Sequence, residues 1–462
     1  MGAGKSTLGP ALAERLGRSF VSVDAVVEKR AGSRVPELFR ERGEAAFREL
    51  EERATLDVLS RQPLAVVEIG GGGLASTATR SALSEHAFAL HLETTPDEAW
   101  ERVRESGRPL ARDRDEFRAL YEERAELYGE VADGSARDLD GAVLAAAGVH
   151  AGAGAAGRLG ELVPGAKPVE LVVDETVDGL HGARLRAALG DRVAASHVVP
   201  AGGRAKTVAE ADRIWSALRL DRDGTIVAMG GGSTLDVAGF VAATYLRGVA
   251  WVPVPTTLLA QVDAAIGGKT AIELAQGKNL VGAYHWPARV VIDPELLATL
   301  PPEELGNGLA EVVKTGLLSG ESVWELETAE QVRRCAAFKA GVCLRDPLDR
   351  GDRAQLNLGH TFGHALEAAS GYSLPHGRAV ALGLVAALRL SGLEDDARMV
   401  EDVLRPRPVE VDREAAWAAL TRDKKVADGR VRLVLLEARG QPRIGVELDP
   451  RHVRAALDLL IA

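Results

Sequence analysis

The run Thr225-Ile226-Val227-Ala228-Met229 ends in Gly230-Gly231-Gly232 and passes straight into Ser233-Thr234-Leu235-Asp236. A short apolar run bounded by turn residues reads as a strand buried on both faces. Strand, glycine turn and helix together make the geometry that receives a dinucleotide pyrophosphate, although three glycines alone more often make only a tight turn. A second strand is expected at Val169-Glu170-Leu171-Val172-Val173-Asp174 and a helix over 209–218. That alternation predicts an α/β domain of Rossmann-like type.

The N-terminal segment carries a second phosphate signal. Gly2-Ala3-Gly4-Lys5-Ser6-Thr7 leads into the helical pattern from Leu8 to Leu16. This is the back half of a P-loop: backbone N–H groups cradle phosphates, Lys5 meets the outer ones and Ser6 ligates magnesium. The sequence opens inside the loop, so this α/β domain is expected to lack its first strand.

Farther on, His360 and His364 fall one helical turn apart and so share a face, and His376 follows in Pro375-His376-Gly377. Imidazole is the commonest metal-binding side chain, and a catalytic zinc takes three protein ligands with one position open. The i, i+4 pair by itself is more often a surface accident. Upstream, Gly308-Leu309-Ala310-Glu311-Val312-Val313-Lys314 places Glu311 and Lys314 together at i, i+3.

With 462 residues the chain has room for two to four domains. Its net charge of −11 argues against a general nucleic-acid binder, and no apolar run is long enough for a membrane span. Cys335 and Cys343 cannot build a disulfide framework, which suits a reducing cytoplasm. Cation usage is more telling, because 46 of the 56 basic residues are arginine. The few lysines are therefore enriched for work that needs a compact point charge or a tunable amine.

Several motifs after the P-loop agree in order and spacing: Ser22-Val23-Asp24, Phe47-Arg48-Glu49-Leu50-Glu51, a strand 64–69 running into Gly70-Gly71-Gly72-Gly73, Arg108-Pro109-Leu110, and Tyr121 to Tyr128 around Arg124. Residues 1–145 resemble shikimate kinase. The resemblance implies that Asp24, Arg48, Gly71, Gly72 and Arg124 hold shikimate, and that Arg108 is a lid arginine reaching ATP. Such a site positions a hydroxyl, holds a carboxylate with two arginines and screens the moving phosphoryl group. The family usually has Asp-x-Asp where this chain has Ser22-Val23-Asp24, so the carboxylate nearest magnesium is expected to be absent.

Over residues 149–462, Thr256-Thr257, Asp263, Gly267-Gly268-Lys269, Lys278-Asn279, Glu311, Lys314, Asn357 to His364 and His376 closely resemble 3-dehydroquinate synthase. That resemblance implies conversion of 3-deoxy-D-arabino-heptulosonate 7-phosphate to 3-dehydroquinate and phosphate, with NAD as a recycled cofactor. It makes Glu311, His360 and His376 ligands of zinc or cobalt, with His364 on the substrate side. Lys269, Asn279, Asn357 and Lys424 are expected around the phosphate, with Arg247 contributed by a neighbouring subunit of a homodimer. Lys339 and Arg353 would hold the carboxylate, and Asp263 and Lys314 the hydroxyls. Lys206, Gly232, Ser233, Thr234, Leu235, Asp236, Thr256, Thr257, Lys269 and Lys278 fall on the NAD side. Leu235 replaces a loop glycine, Gly203 a glutamate before Lys206, and Arg378 a glutamate after His376-Gly377.

The expected architecture is a P-loop kinase-type domain (1–145), an Ala/Gly-rich junction (146–166), an NAD-binding α/β domain (167–300) and a mainly helical metal- and substrate-binding domain (301–462). The expected function is a shikimate-pathway enzyme of aromatic amino acid biosynthesis, a cyclase joined to an ATP- and magnesium-dependent kinase. Alternatives are a cyclase carrying a structural or regulatory N-terminal remnant, another sugar-phosphate cyclase, or a metal-dependent alcohol dehydrogenase.

Overall fold

The computed structural model describes residues 2–61, 64–104, 113–422, 426–427 and 430–462, with backbone alone for residues 422, 426, 427 and 430. Arg108 and Lys424 lie outside the described residues. The chain divides into two compact units, Met1–Ala147 and Gly148–Ala462.

In the first unit, strand Ser19–Ser22 pairs in parallel with Ala65–Glu68, and Leu90–Leu92 pairs in parallel with Gly134–Ala136. Among the described residues these are two separate pairs. Helix Lys5–Arg15 starts directly after Gly4, whose φ of 85° suits glycine and admits other residues only with strain. Val23, Val27, Leu38, Phe47 and Ala54 form its core between helices Val23–Ala31 and Val35–Arg61.

The second unit is built on a four-stranded parallel sheet in the order Val193–Val199, Val169–Asp174, Thr225–Gly230, Ala250–Pro255. Every residue of Val169–Asp174 and Thr225–Gly230 is buried, as parallel strands covered on both faces require. Within the first of these, the buried Glu170 is satisfied by His197 Nε2 at 2.6 Å and by the Arg219 backbone N–H at 2.8 Å. Within residues 146–166, strand Val149–Ala151 pairs in parallel with Val290–Ile292. An antiparallel hairpin, Lys269–Leu274 with Gly277–Tyr284, follows the sheet.

Beyond residue 300 the unit is mainly helical. Helices Pro302–Ser319, His360–Ala369 and His376–Leu390 bury Val313, Leu317, Phe362, Leu366, Val380 and Leu384 in one core. An antiparallel pair, Arg430–Ala438 with Gln441–Glu447, packs against it. Among the described residues no helix is long and apolar enough to cross a membrane.

Candidate active site

Glu311, His360 and His376 come together from three helices, with ligand atoms all within 4.8 Å of one another. Glu311 Oε1 lies 3.4 Å from His360 Nε2 and 3.5 Å from His376 Nε2. Both histidines occupy the first position of their helices, and two glycines bring those ends into place. Gly359 caps the first helix at φ 78°, where a Cβ would also meet the backbone N of Leu384 at 2.8 Å. Next to His376, a Cβ on Gly377 would overlap the backbone of Asn307 on the Glu311 helix.

The cluster fits a divalent ion. Both Glu311 oxygens are buried and lack a hydrogen-bond partner of ordinary geometry, an arrangement costly to leave as it is. His360 Nδ1 lies 3.2 Å from the Leu358 carbonyl and His376 Nδ1 lies 3.6 Å from Glu367 Oε1, so each ring can direct Nε2 at the shared centre. Two imidazoles and one carboxylate form a donor set suited to zinc or cobalt.

Lys314 pairs with Glu311 at i, i+3, and both side chains are buried. Burial alone would raise the Glu311 carboxyl, but Lys314 and His360 hold it well below the usual carboxylate range. Burial and Lys314 push the His360 imidazolium down. Against its own burial, His376 is held protonated to about 10 by Glu311 and Glu367. Lys314 is raised, since Glu311 and Asp263 outweigh its burial.

Around this centre the other expected residues fall into separate groups. Lys339 Nζ donates to the Asp263 side chain at 2.7 Å and to its carbonyl at 2.5 Å. Lys206 Nζ donates to Asp236 at 2.5 Å and to the side-chain oxygen of Asn279. Lys269 Nζ is 2.5 Å from Asp349, so the phosphate group expected of Lys269, Asn279 and Asn357 is divided among local partners. Asn357 donates to the Ala354 carbonyl at 3.1 Å, and the buried Arg353 to that of Pro347 at 3.2 Å. His364 is exposed, its ring 5.3 Å from that of His360. Arg247 is exposed in a turn at φ 68°. Arg378 turns to the carbonyls of Arg407 and Pro408.

Gly232, Ser233, Thr234, Leu235 and Asp236 open helix Gly232–Thr244, whose start carries no side-chain cap and is therefore suited to a phosphate. The buried Thr256 donates its backbone N–H to Gly230 at 3.0 Å, and Thr257 Oγ1 accepts from the Ala260 N–H at 3.2 Å. Leu235 is buried, and Gly203 lies in the short turn leading to Lys206.

In the first unit, Ser6 Oγ donates to Glu68 Oε1 at 2.7 Å. Arg48 bridges Glu44 at 3.0 Å and Glu51 at 2.5 Å beside a cleft of about 290 Å³ that Gly72 also lines. Tyr128 Oη donates to the Gly71 carbonyl at 2.8 Å, and Arg124 lies near enough to influence Glu51 and Tyr128. Asp24 lies on the same side, near Gly70.

Residues 196–307 match the N-terminal and 308–426 the C-terminal domain of 3-dehydroquinate synthase. The 3-dehydroquinate synthase of Symbiobacterium thermophilum is 40% identical over 351 residues, 68% of this chain and 97% of that protein. The chain belongs to the 3-dehydroquinate synthase family. The synthase of Paracoccus denitrificans is 41% identical over 350 residues, 67% of this chain and 95% of that protein. Residues 1–141 match shikimate kinase, so the synthase is fused to a shikimate kinase segment. A 2-epi-5-epi-valiolone synthase from Streptomyces hygroscopicus, solved with NAD+ and Zn2+, is 27% identical with a TM-score of 0.58, covering 68% of this chain and 96% of that one. The fold is also that of a 2-deoxy-scyllo-inosose synthase, 24% identical with a TM-score of 0.60 over 67% of this chain and 95% of that one.

Two residues of this synthase stand outside those its motifs single out. Glu367 follows His360 by two helical turns and thus shares its face, a spacing visible in the sequence. Asp349, which holds Lys269 across 80 positions of sequence, leaves no such signal.

Proposed function

We propose that the second unit converts 3-deoxy-D-arabino-heptulosonate 7-phosphate to 3-dehydroquinate and phosphate. The observation that carries this reading is the Glu311–His360–His376 cluster, buried at Glu311 and His360 and half-buried at His376, with Lys314 in contact. Glu311, His360 and His376 would hold zinc or cobalt, which when bound makes a coordinated hydroxyl more acidic. Lys206, Asp236, Thr256, Thr257 and the uncapped helix start would hold NAD, which supplies reversible hydride transfer.

In this reading Lys314 and Asp263 orient the substrate hydroxyls next to the metal ligands. Lys269, Asn279 and Asn357 receive the phosphate, with Lys269 exchanging Asp349 for it. Lys339 and Arg353 take the carboxylate, and His364 faces the substrate. A hydroxyl is oxidised, phosphate leaves, the ketone is reduced again and an intramolecular aldol closes the ring. A doubly anionic substrate in an acidic protein needs such a local gathering of cations.

The first unit, in the same proposal, transfers the γ-phosphoryl group of ATP to shikimate. Gly2, Ala3, Gly4, Lys5, Ser6 and Thr7 hold the phosphates, and Asp24, Arg48, Gly71, Gly72 and Arg124 hold shikimate. Arg48 lines the cleft with Gly72 and would take the shikimate carboxylate in exchange for its present carboxylate partners. The assembly is a cytoplasmic homodimer formed through the second unit, with Arg247 reaching the neighbouring subunit.

Phosphate release from the heptulosonate phosphate, with NAD and zinc and with or without a chelator, tests the first assignment. Chelator-sensitive release is expected, and its absence overturns the synthase reading. A coupled ATP assay with shikimate tests the second.

A further inference from the structure

In the first unit, strand pairing sets a carboxylate, Glu68, beside position 22. Position 22, where the shikimate kinase pattern carries an aspartate, holds a serine whose side chain caps helix Val23–Ala31 by accepting from the Ala25 N–H at 3.5 Å. Ser22 is also the last residue of its strand, and in the parallel pair it stands in register with Glu68, the last residue of the neighbouring strand. Residues in register on adjacent strands lie about 4.8 Å apart and project to the same face. Glutamate has one methylene more than aspartate, so Glu68 can bring its carboxylate to the ground an aspartate at 22 would occupy.

The contact with Ser6 shows where that carboxylate goes. Glu68 Oε1 accepts from Ser6 Oγ at 2.7 Å, and Ser6 is the hydroxyl that follows Lys5 at the start of helix Lys5–Arg15. A hydroxyl and a carboxylate within hydrogen-bond distance, beside a phosphate-cradling turn, form a hard oxygen donor pair suited to magnesium held jointly with nucleotide phosphates.

We propose that Glu68 is the carboxylate of the nucleotide-bound divalent cation in the first unit, acting with Ser6 in place of the aspartate that position 22 lacks. The proposal rests on the reading of this unit as an ATP-dependent kinase. Ser22 is thereby released to start its helix, and the strand end one step across the sheet carries the charge.

The test is Mn2+ binding to the full chain with its second-unit metal site already filled with zinc, followed by the electron paramagnetic resonance of free Mn2+ in the presence of ADP. The parent chain is expected to take up one Mn2+ in an ADP-dependent way. Glu68→Gln should weaken that uptake at least about tenfold while metal-free ADP binding changes less than about twofold. Adding Ser22→Asp to Glu68→Gln should restore Mn2+ uptake. Unchanged Mn2+ affinity in Glu68→Gln overturns the proposal and leaves the kinase reading intact. Joint loss of Mn2+ and ADP binding that Ser22→Asp does not restore also overturns it, showing a structural role. Absence of ADP-dependent uptake in the parent removes the kinase reading itself, and the proposal with it.

Discussion

Glu367 Oε1 lies 3.6 Å from Nδ1 of His376 and 3.5 Å from Nζ of Lys278, so one buried carboxylate joins a candidate metal ligand to the hairpin Gly277–Tyr284. The same ring turns Nε2 toward Glu311 at 3.5 Å. A carboxylate behind a ligating imidazole fixes its orientation and raises its basicity. Glu367→Gln is expected to keep the fold and lower metal affinity by roughly 10–100-fold. Competition with a coloured chelator measures this, and unchanged affinity would remove Glu367 from the site.

Removing a ligand should act on metal and turnover together. His360→Ala takes away one of three donors and leaves the buried Glu311 facing His376 and Lys314. Metal content by mass spectrometry and phosphate release are expected to fall in parallel. Retained stoichiometric zinc in that variant would refute the ligand assignment.

Metal uptake should be proton-linked. Without metal, His376 is held protonated to about 10, whereas ligation needs the neutral ring. Metal affinity is therefore expected to rise with pH by up to about tenfold per unit until pH approaches that value. The stability sign in the metal-free chain is opposite. The raised value contributes stability fully present below the ordinary histidine pKa of about 6.5 and lost as pH rises through about 10. Calorimetry in buffers of different ionisation enthalpy measures the proton released, and zero release at pH 8 would contradict the assignment.

Gly377→Ala is expected to destabilise the second unit by about 1–3 kcal/mol or more, because the added methyl meets backbone of Asn307 and not a movable side chain. The shift also displaces His376 from Glu311. Thermal unfolding with and without zinc should show both a lower midpoint and a smaller zinc-induced gain. An unchanged zinc-induced gain would separate the helix contact from the site.

The strands and the helix starts were legible in the chain because they obey local rules. Thr225–Gly230 is buried along its whole length, as its apolar run predicts, and the i, i+3 spacing of Glu311 and Lys314 yields a contact within one helix. The pair His360 and His364 shows where such reasoning stops. Both lie on one helix, yet the structure draws His360 into the buried cluster and leaves His364 exposed.

Other groupings depended on elements distant in the chain. Lys206 meets Asp236 and Asn279, and Lys269 meets Asp349, only because the hairpin and the helical region return to the sheet. The motif at position 22 carries no carboxylate, whereas strand pairing sets Glu68 beside it.

The sequence by itself determined the element types, the glycine turns that open helices Lys5–Arg15 and Gly232–Thr244, and the family, since propensity, periodicity and motif spacing act over a few residues. Only the tertiary structure decided which side chains share a centre. Long-range packing at Gly359 and Gly377 sets the distances between helices, and a metal or substrate site is defined by those distances.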